Sequence, residues 1–350
     1  MELKELLQEI LDKKASDLHL TVGVPPVFRI NGALTYSDRA DLMVSDLERL
    51  AKQLLGTDKE EVFKAQGEAD FSYNLSGVGY FRVNVYRQRR SMGIAIRLIN
   101  TEILTLQELK IPAVVSTMTR RNQGLILVTG PAGSGKSTTL AAMTDLINTE
   151  KQKHIITLED PIEYIHKHKQ SIVTQREIGK DSLSFPAALR AALRQDPDVI
   201  VVGEMRDLET ISIAVSAAET GHLVMATLHT SGSGQSVERI IDSFPSNQQH
   251  QIRIQLANSL IGVISQRLVP YKDNNSRIAA TEIMVCTNAI RNLIREKKIH
   301  QINSMIQTGA KQGMQTMDGN LHLLYQEGMI SRETALEYAV DSDWVANITK

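Results

Sequence analysis

The sequence predicts an α/β protein: a small N-terminal α+β domain over residues 1–99, a linker over 100–117, and a parallel-sheet domain over 118–350 that ends in helices. Three observations predict it. Strand-like runs flank Asn31-Gly32 within the first hundred residues. From Gly124 onward, short apolar runs alternate with helix-like segments, the pattern of a parallel sheet covered on both faces. One of these runs, Gly124-Leu-Ile-Leu-Val-Thr129, leads into Gly-Pro-Ala-Gly-Ser-Gly-Lys-Ser-Thr at 130–138 and then into the helix-like Thr139–Ile147. The 350 residues also exceed what one hydrophobic core usually serves, so two domains are expected.

In the first domain, Leu3, Leu6, Leu7, Ile10 and Leu11 share one helical face. Asp17–Val22 alternates as a strand does. Val27–Ile30 and Ala33–Tyr36 flank Asn31-Gly32, a type I′ hairpin signal. A helix is expected through Val44–Leu55 with Ser45 as its cap. Ala69–Leu75, Tyr80–Arg87 and Gly93–Ile99 complete the strands, and residues 100–117, with Pro112 and little periodicity, form the linker.

In the second domain the expected strands are Leu125–Thr129, His154–Leu158, Val199–Val202 and Leu223–Leu228. An amphipathic segment, Gln248–Arg267, follows, and the chain from about residue 287 reads as helical.

The 130–138 segment is G-x-x-x-x-G-K-[ST] between a strand and a helix, the context that gives the motif its meaning. Gly130, Gly133 and Gly135 let the backbone wrap so that successive N–H groups, including those of Ser134 and Thr138, converge on nucleotide phosphates. The positive end of the following helix adds to that field. Lys136 reaches the β- and γ-phosphates, and the Ser137 hydroxyl ligates Mg²⁺. The chain is therefore expected to bind ATP with Mg²⁺.

Hydrolysis further needs an oriented water and positive charge at the transition state. Glu159-Asp-Pro-Ile-Glu163 ends one strand and supplies carboxylates able to polarise a water. Asp198-Val-Ile-Val-Val-Gly-Glu204 is a buried-strand run ending in an acid, a Walker-B arrangement in which Glu204 holds a metal-bound water. His222 and His229 bracket the strand 223–228. Their spacing suits no metal site, and they read either as satisfied core histidines or as sensors of the γ-phosphate. Arg82, Arg87, Arg89, Arg90 and Arg97 crowd the end of the first domain. They are exposed charges or, for Arg82 and Arg97 within strands, rigidly aimed arginine fingers for a neighbouring subunit.

Composition narrows the alternatives. A net charge of −1 with 23% charged residues argues against a general polyanion binder, so no nucleic acid is expected as partner. The lone Cys286 excludes a disulfide framework and a four-cysteine zinc site. The N-terminus has no apolar h-region, and no run approaches the ~20 apolar residues of a membrane span. A cytoplasmic location is expected, with membrane association only through partners.

Together these blocks resemble the secretion-superfamily ATPases, and within them the type IV pilus retraction branch. The matching pieces are Gly130–Thr139, Glu159–Glu163, Val201-Val-Gly-Glu-Met-Arg-Asp207 and Thr220–Thr230. Ala289-Ile-Arg-Asn-Leu-Ile-Arg-Glu296 matches a motif specific to the retraction branch. The resemblance implies a PAS-like N-terminal domain, a RecA-like P-loop NTPase domain with a helical C-terminal region, and a homo-hexameric ring. It implies an ATPase motor for pilus retraction and twitching motility, acting with an inner-membrane platform protein at the cytoplasmic face. It also implies Glu163 as general base, Glu204 as Walker-B acid, His222 and His229 as histidine-box residues, and Arg82 and Arg97 as trans-acting arginines. Ala132 stands where that family commonly has Thr. In the 289–296 motif, Ile290, Leu293 and Ile294 line one face and Thr287 or Asn288 caps the helix. Replacing Arg291 and Arg295 is expected to spare folding and ATP binding while impairing retraction.

A DNA-translocating ring ATPase and a non-hydrolysing nucleotide-gated scaffold are the competing readings. The neutral charge speaks against the first, and the two intact carboxylate sites against the second.

Overall fold

The alternation in the first hundred residues closes into one antiparallel sheet. In the computed structural model, which describes residues 2–30, 32–99, 102–273 and 276–348, β1 (Asp17–Leu20), β2 (Val27–Ile30), β3 (Ala33–Tyr36), β4 (Glu68–Leu75), β5 (Gly79–Gln88) and β6 (Ser91–Ile99) pair in the order β3-β2-β1-β6-β5-β4. Ile30 pairs with Ala33 across the hairpin. Gly32 has φ 85°, the left-handed value its turn needs, and Asn31 lies outside the described residues. Helix α1 (Leu3–Asp12) and α2 (Val44–Gln66) cover the sheet: Leu6, Leu7 and Ile10 meet Leu47, Leu50, Phe81 and Val83 in a buried core. The expected helix through Leu55 ends at Gly56, whose φ of 60° is not helical, and a second helical stretch continues α2 to Gln66. Ser45 is inside the helix and does not cap it; the Asp46 carboxylate accepts the N–H of Met43 instead.

The chain divides into two units, Met1–Thr101 and Glu102–Lys350. Of the expected linker, residues 100 and 101 lie outside the described residues. Its remainder packs into the second unit: Leu106 and Ile111 are buried with Ile126 and Val128, and Ala113–Thr119 forms α3. The helix is short, and its apolar residues are too few to show a period.

The second unit holds β7 (Gly124–Thr129), β8 (His154–Glu159), β9 (Ile172–Glu177), β10 (Val199–Val202), β11 (Leu223–Leu228), β12 (Leu260–Pro270) and β13 (Arg277–Val285), ordered β13-β12-β7-β11-β10-β8-β9. Strands β12 to β9 pair in parallel and β13 closes one edge antiparallel. Leu125 and Leu127 enter one core and Ile126 and Val128 another, so β7 is buried on both faces, which explains its unbroken apolar run. The helices are α4 (Lys136–Glu150), α5 (Phe185–Ala192), α6 (Leu208–Glu219), α7 (Ser233–Asp242), α8 (Gln249–Ser259), α9 (Asn288–Arg295), α10 (Ile302–Thr308), α11 (Met317–Gln326), α12 (Arg332–Tyr338) and α13 (Ser342–Ile348). The segment 248–267 is thus a helix and then a strand. The apolar run 260–264 continues the helical stripe without a Gly-Pro break between them, so the change of period is hidden in the sequence. Among the described residues no helix is long and apolar enough to cross a membrane.

Candidate active site

Parallel strands deliver their C-terminal ends to one edge, where open α/β sheets bind ligands. Beyond β7, residues 130–135 turn into α4. Gly130, Gly133 and Gly135 take φ values of 146°, 75° and 85°, conformations that residues with a Cβ rarely adopt. Lys136 is buried and its Nζ donates to the carbonyls of Gly130 and Pro131, each at 2.9 Å. Burial pushes this ammonium below the usual lysine range, while the charges of Glu204 and Glu163 pull it back up. Both acids therefore act on the lysine of the loop.

A cavity of about 290 Å³ lies between them, with Lys136, Ser137, Glu159, Glu163, Glu204 and His229 in its wall. Of the loop residues singled out in the sequence, Gly133, Lys136 and Ser137 line it. Thr138 turns to the Tyr164 phenol, 2.8 Å away. Gly130, Ser134 and Gly135 pack against β12.

The acidic turn divides its labour. Glu159, at the end of β8, accepts from the Thr157 hydroxyl at 2.6 Å and the Gln175 amide at 3.1 Å. Burial pushes its carboxyl up, and those two bonds and the backbone N–H of Glu163 work against that rise. Glu163 is exposed and borders the cavity. The half-buried Glu159 holds the turn, and the exposed Glu163 borders the same cavity.

Strand β10 ends one residue before Gly203. A Cβ at Gly203 would meet the Leu158 carbonyl at 3.1 Å, a contact tight enough that these strand ends would have to part slightly to accept one. The adjoining Glu204 carboxylate takes Arg206 Nε at 2.6 Å and His229 Nε2 at 3.2 Å. Burial raises its carboxyl, but Arg206 and His229 outweigh that and hold it below the usual range, leaving it ionised. A hydroxyl at Ser137 and an ionised carboxylate at Glu204 on one cavity wall are the hard oxygen donors that Mg²⁺ takes.

The two histidines part company. His229 ends β11 beside Glu204, whereas His222 precedes β11 at the opposite end, its Nδ1 3.1 Å from the Ala217 carbonyl. Their chain separation along a strand is ~3.3 Å per residue, so His222 lies far from the loop within one subunit. Of the two histidine-box residues, His229 therefore lines this cavity and His222 does not.

Arg82 and Arg97 stand directly opposite each other on β5 and β6. Arg82 pairs with Asp70 at 2.5 Å and Arg97 with Asp17 at 2.7 Å. These carboxylates relieve the repulsion of two like charges in register. The Arg97 side chain remains 67% exposed.

A family model described as "Type II/IV secretion system protein" matches residues 1–336. The chain belongs to that family. The type IV pilus retraction ATPase PilT of Pseudomonas aeruginosa is 47% identical over 339 residues, spanning 97% of this chain and 98% of that protein. A twitching motility protein of Neisseria gonorrhoeae is 45% identical over 318 residues, 91% of this chain and 85% of that one. A crystal structure of the pilus retraction motor PilT with bound ADP matches with a TM-score of 0.93 at 48% identity over 99% of each chain. The second unit is accordingly a RecA-like P-loop NTPase fold preceded by an N-terminal α+β domain, and the chain is an ATPase of this secretion family.

Several contributors escaped the sequence reading. Arg206 was visible only as part of a matching block, and Tyr164, Thr157 and Gln175 have no motif of their own. The segment 289–296 makes contacts that its sequence does not show. Thr287 caps α9, but Arg291 is not free for a partner: its guanidinium donates to the carbonyls of Ala257, Asn258 at 2.7 Å and Leu260 at 3.3 Å, the end of α8. Those are carbonyls a helix terminus leaves unpaired. Arg295 reaches the Asn258 side chain at 2.8 Å.

Proposed function

We propose that this chain is the subunit of a homo-hexameric, Mg²⁺-dependent ATP-hydrolysing motor that powers type IV pilus retraction and twitching motility. One observation carries the reading: the loop lysine, Lys136, shares a single cavity with Glu163 and Glu204, and both act on its charge. The loop N–H groups and Lys136 bind the phosphates, with Lys136 leaving the Gly130 and Pro131 carbonyls to do so. Ser137 and Glu204 would hold Mg²⁺, which would shield phosphate charge when bound. Glu163 takes a proton from the attacking water, and His229, against Glu204, responds to loss of the γ-phosphate.

Among the described residues lining the cavity the fixed cations are Lys136 and Arg206, and Arg206 is already engaged by Glu204. This favours a further arginine, Arg82 or Arg97 of a neighbouring subunit, as the source of transition-state charge. The boundary between residues 101 and 102 frames the motion: release of phosphate lets the two domains rotate. The ring would act on an inner-membrane pilus platform protein from its cytoplasmic face.

Deletion of the gene, followed by imaging of surface pili, tests the reading. The expected result is abundant pili without twitching, restored by the parental gene and not by Lys136→Ala. Loss of pili, or unchanged twitching, contradicts it.

A further inference from the structure

Strand β12 runs beside β7, and its Ser265 pairs with Thr129, the last residue before the phosphate loop. The next residue, Gln266, is 1% exposed and touches the loop at three places. Its Nε2 donates to the Ser134 carbonyl at 2.6 Å. Its own backbone carbonyl lies where a Cβ on Gly130 would come within 2.3 Å, and its Nε2 lies 3.1 Å from where a Cβ on Gly135 would stand. Two of the loop glycines thus answer to this one residue as well as to their backbone angles.

Two buried polar atoms at this contact have no partner: Gln266 Oε1 and Ser134 Oγ. Unpaired buried groups are costly and call for an explanation. The loop here is also drawn in on itself, because Lys136 is spent on the Gly130 and Pro131 carbonyls. A loop that opens around phosphates must release that lysine and shift the 130–135 backbone, carrying Ser134 against Gln266.

We propose that Gln266 is a positioning residue for the phosphate loop. Its carboxamide fixes the Ser134 carbonyl so that the loop N–H groups turn toward phosphate, and its Oε1 receives the Ser134 hydroxyl when nucleotide is bound. The assignment rests on reading this loop as the ATP site. Gln266 touches no reacting atom and acts through the loop alone. Arg267, beside it, donates to the Tyr338 carbonyl at 2.8 Å at the end of α12, so the same stretch of β12 also meets the C-terminal helices.

The test is Gln266→Met, which keeps length and burial and cannot donate, measured by Mg-ATP calorimetry and steady-state turnover on the full chain. Affinity is expected to fall and KM to rise together, by roughly five- to tenfold, the scale of one net hydrogen bond, with kcat within about twofold. Partial unfolding alone would lower the active fraction, and so kcat, without raising KM. Parental affinity and KM in Gln266→Met overturn the proposal. A crystal structure of the unmodified protein with Mg-ADP decides independently of how the variant folds: Gln266 must still hold the Ser134 carbonyl and its Oε1 must have gained the Ser134 hydroxyl. A Gln266 that has left the loop overturns the proposal. If Lys136→Ala binds Mg-ATP like the parent, the site reading itself fails; if Lys136→Ala loses binding and Gln266→Met does not, only the role of Gln266 falls.

Discussion

Thr138 Oγ1 lies 2.8 Å from the Tyr164 phenol oxygen, which ties the first turn of α4 to the segment carrying Glu163. The phosphate-binding helix and one of the carboxylates lining the cavity are thereby held in one frame. Tyr164→Phe removes only that hydroxyl. It is expected to leave the melting curve and KM near parental values and to lower kcat by about five- to tenfold, since one net hydrogen bond is worth ~1 kcal/mol. Unchanged kcat would show that the tie has no part in placing Glu163.

Glu163→Gln and Glu204→Gln separate binding from chemistry. Each keeps shape and loses a charge. Both should still bind Mg-ATP in calorimetry while turnover drops by on the order of 10² or more, the usual scale for a lost general base. Their removal also relieves the pull on Lys136, whose ammonium both acids favour. Parental turnover in either variant removes that residue from its role.

Arg82 and Arg97 face each other across β5 and β6, yet each has its own carboxylate, Asp70 and Asp17. Mixing Arg97→Ala subunits with Glu163→Gln subunits tests whether catalysis is shared. If Arg97 acts on a neighbour, some interfaces of mixed rings hold both intact groups and ATPase activity reappears. Arginine fingers are worth ~10³–10⁵ in rate, so recovery should stand well above background. Verified mixed assemblies with no recovery at any ratio argue for a role within one subunit or for a structural one.

Arg291→Ala strips the end of α8 of its guanidinium cap, and the exposed Arg295→Ala does not. Two of these bonds are part-buried and one is exposed, so their loss is expected to cost about 1 kcal/mol. At ~2–4 °C per kcal/mol for a domain of this size, the melting temperature of Arg291→Ala should fall by a few degrees. Arg295→Ala should melt within about one degree of the parent and is the cleaner variant for retraction assays. An unshifted Arg291→Ala melt would return that arginine to an interaction role.

The parts of the fold that declared themselves were those with strong local rules. A two-residue turn with glycine marked the β2–β3 hairpin, and four buried parallel strands announced themselves as apolar runs. Strand β9, Ile172-Val-Thr-Gln-Arg-Glu177, is mostly polar and lies on the sheet edge, so no apolar run marks it. Nothing punctuates Ser259-Leu260, so the passage from α8 into β12 leaves no mark in the sequence. The same rule governs the site. Lys136, Glu163 and Glu204 sit in motifs whose spacing carries their chemistry. Gln266 and Tyr164 matter through a neighbouring strand and a neighbouring turn, distant relations that no local pattern encodes. His222 and His229 bracket the strand 223–228 in sequence, and the structure accordingly leaves only His229 beside Glu204.

The central claim is that the cavity between the 130–138 loop and the two carboxylates is the Mg-ATP site. Titration calorimetry of the parent and of Lys136→Ala with Mg-ATP tests it most directly. The account predicts micromolar-range saturable binding by the parent and its loss, by at least about 10²-fold, in a variant with an unchanged melting curve, because a charge-assisted phosphate contact disappears. Equal affinity in a folded Lys136→Ala would contradict it.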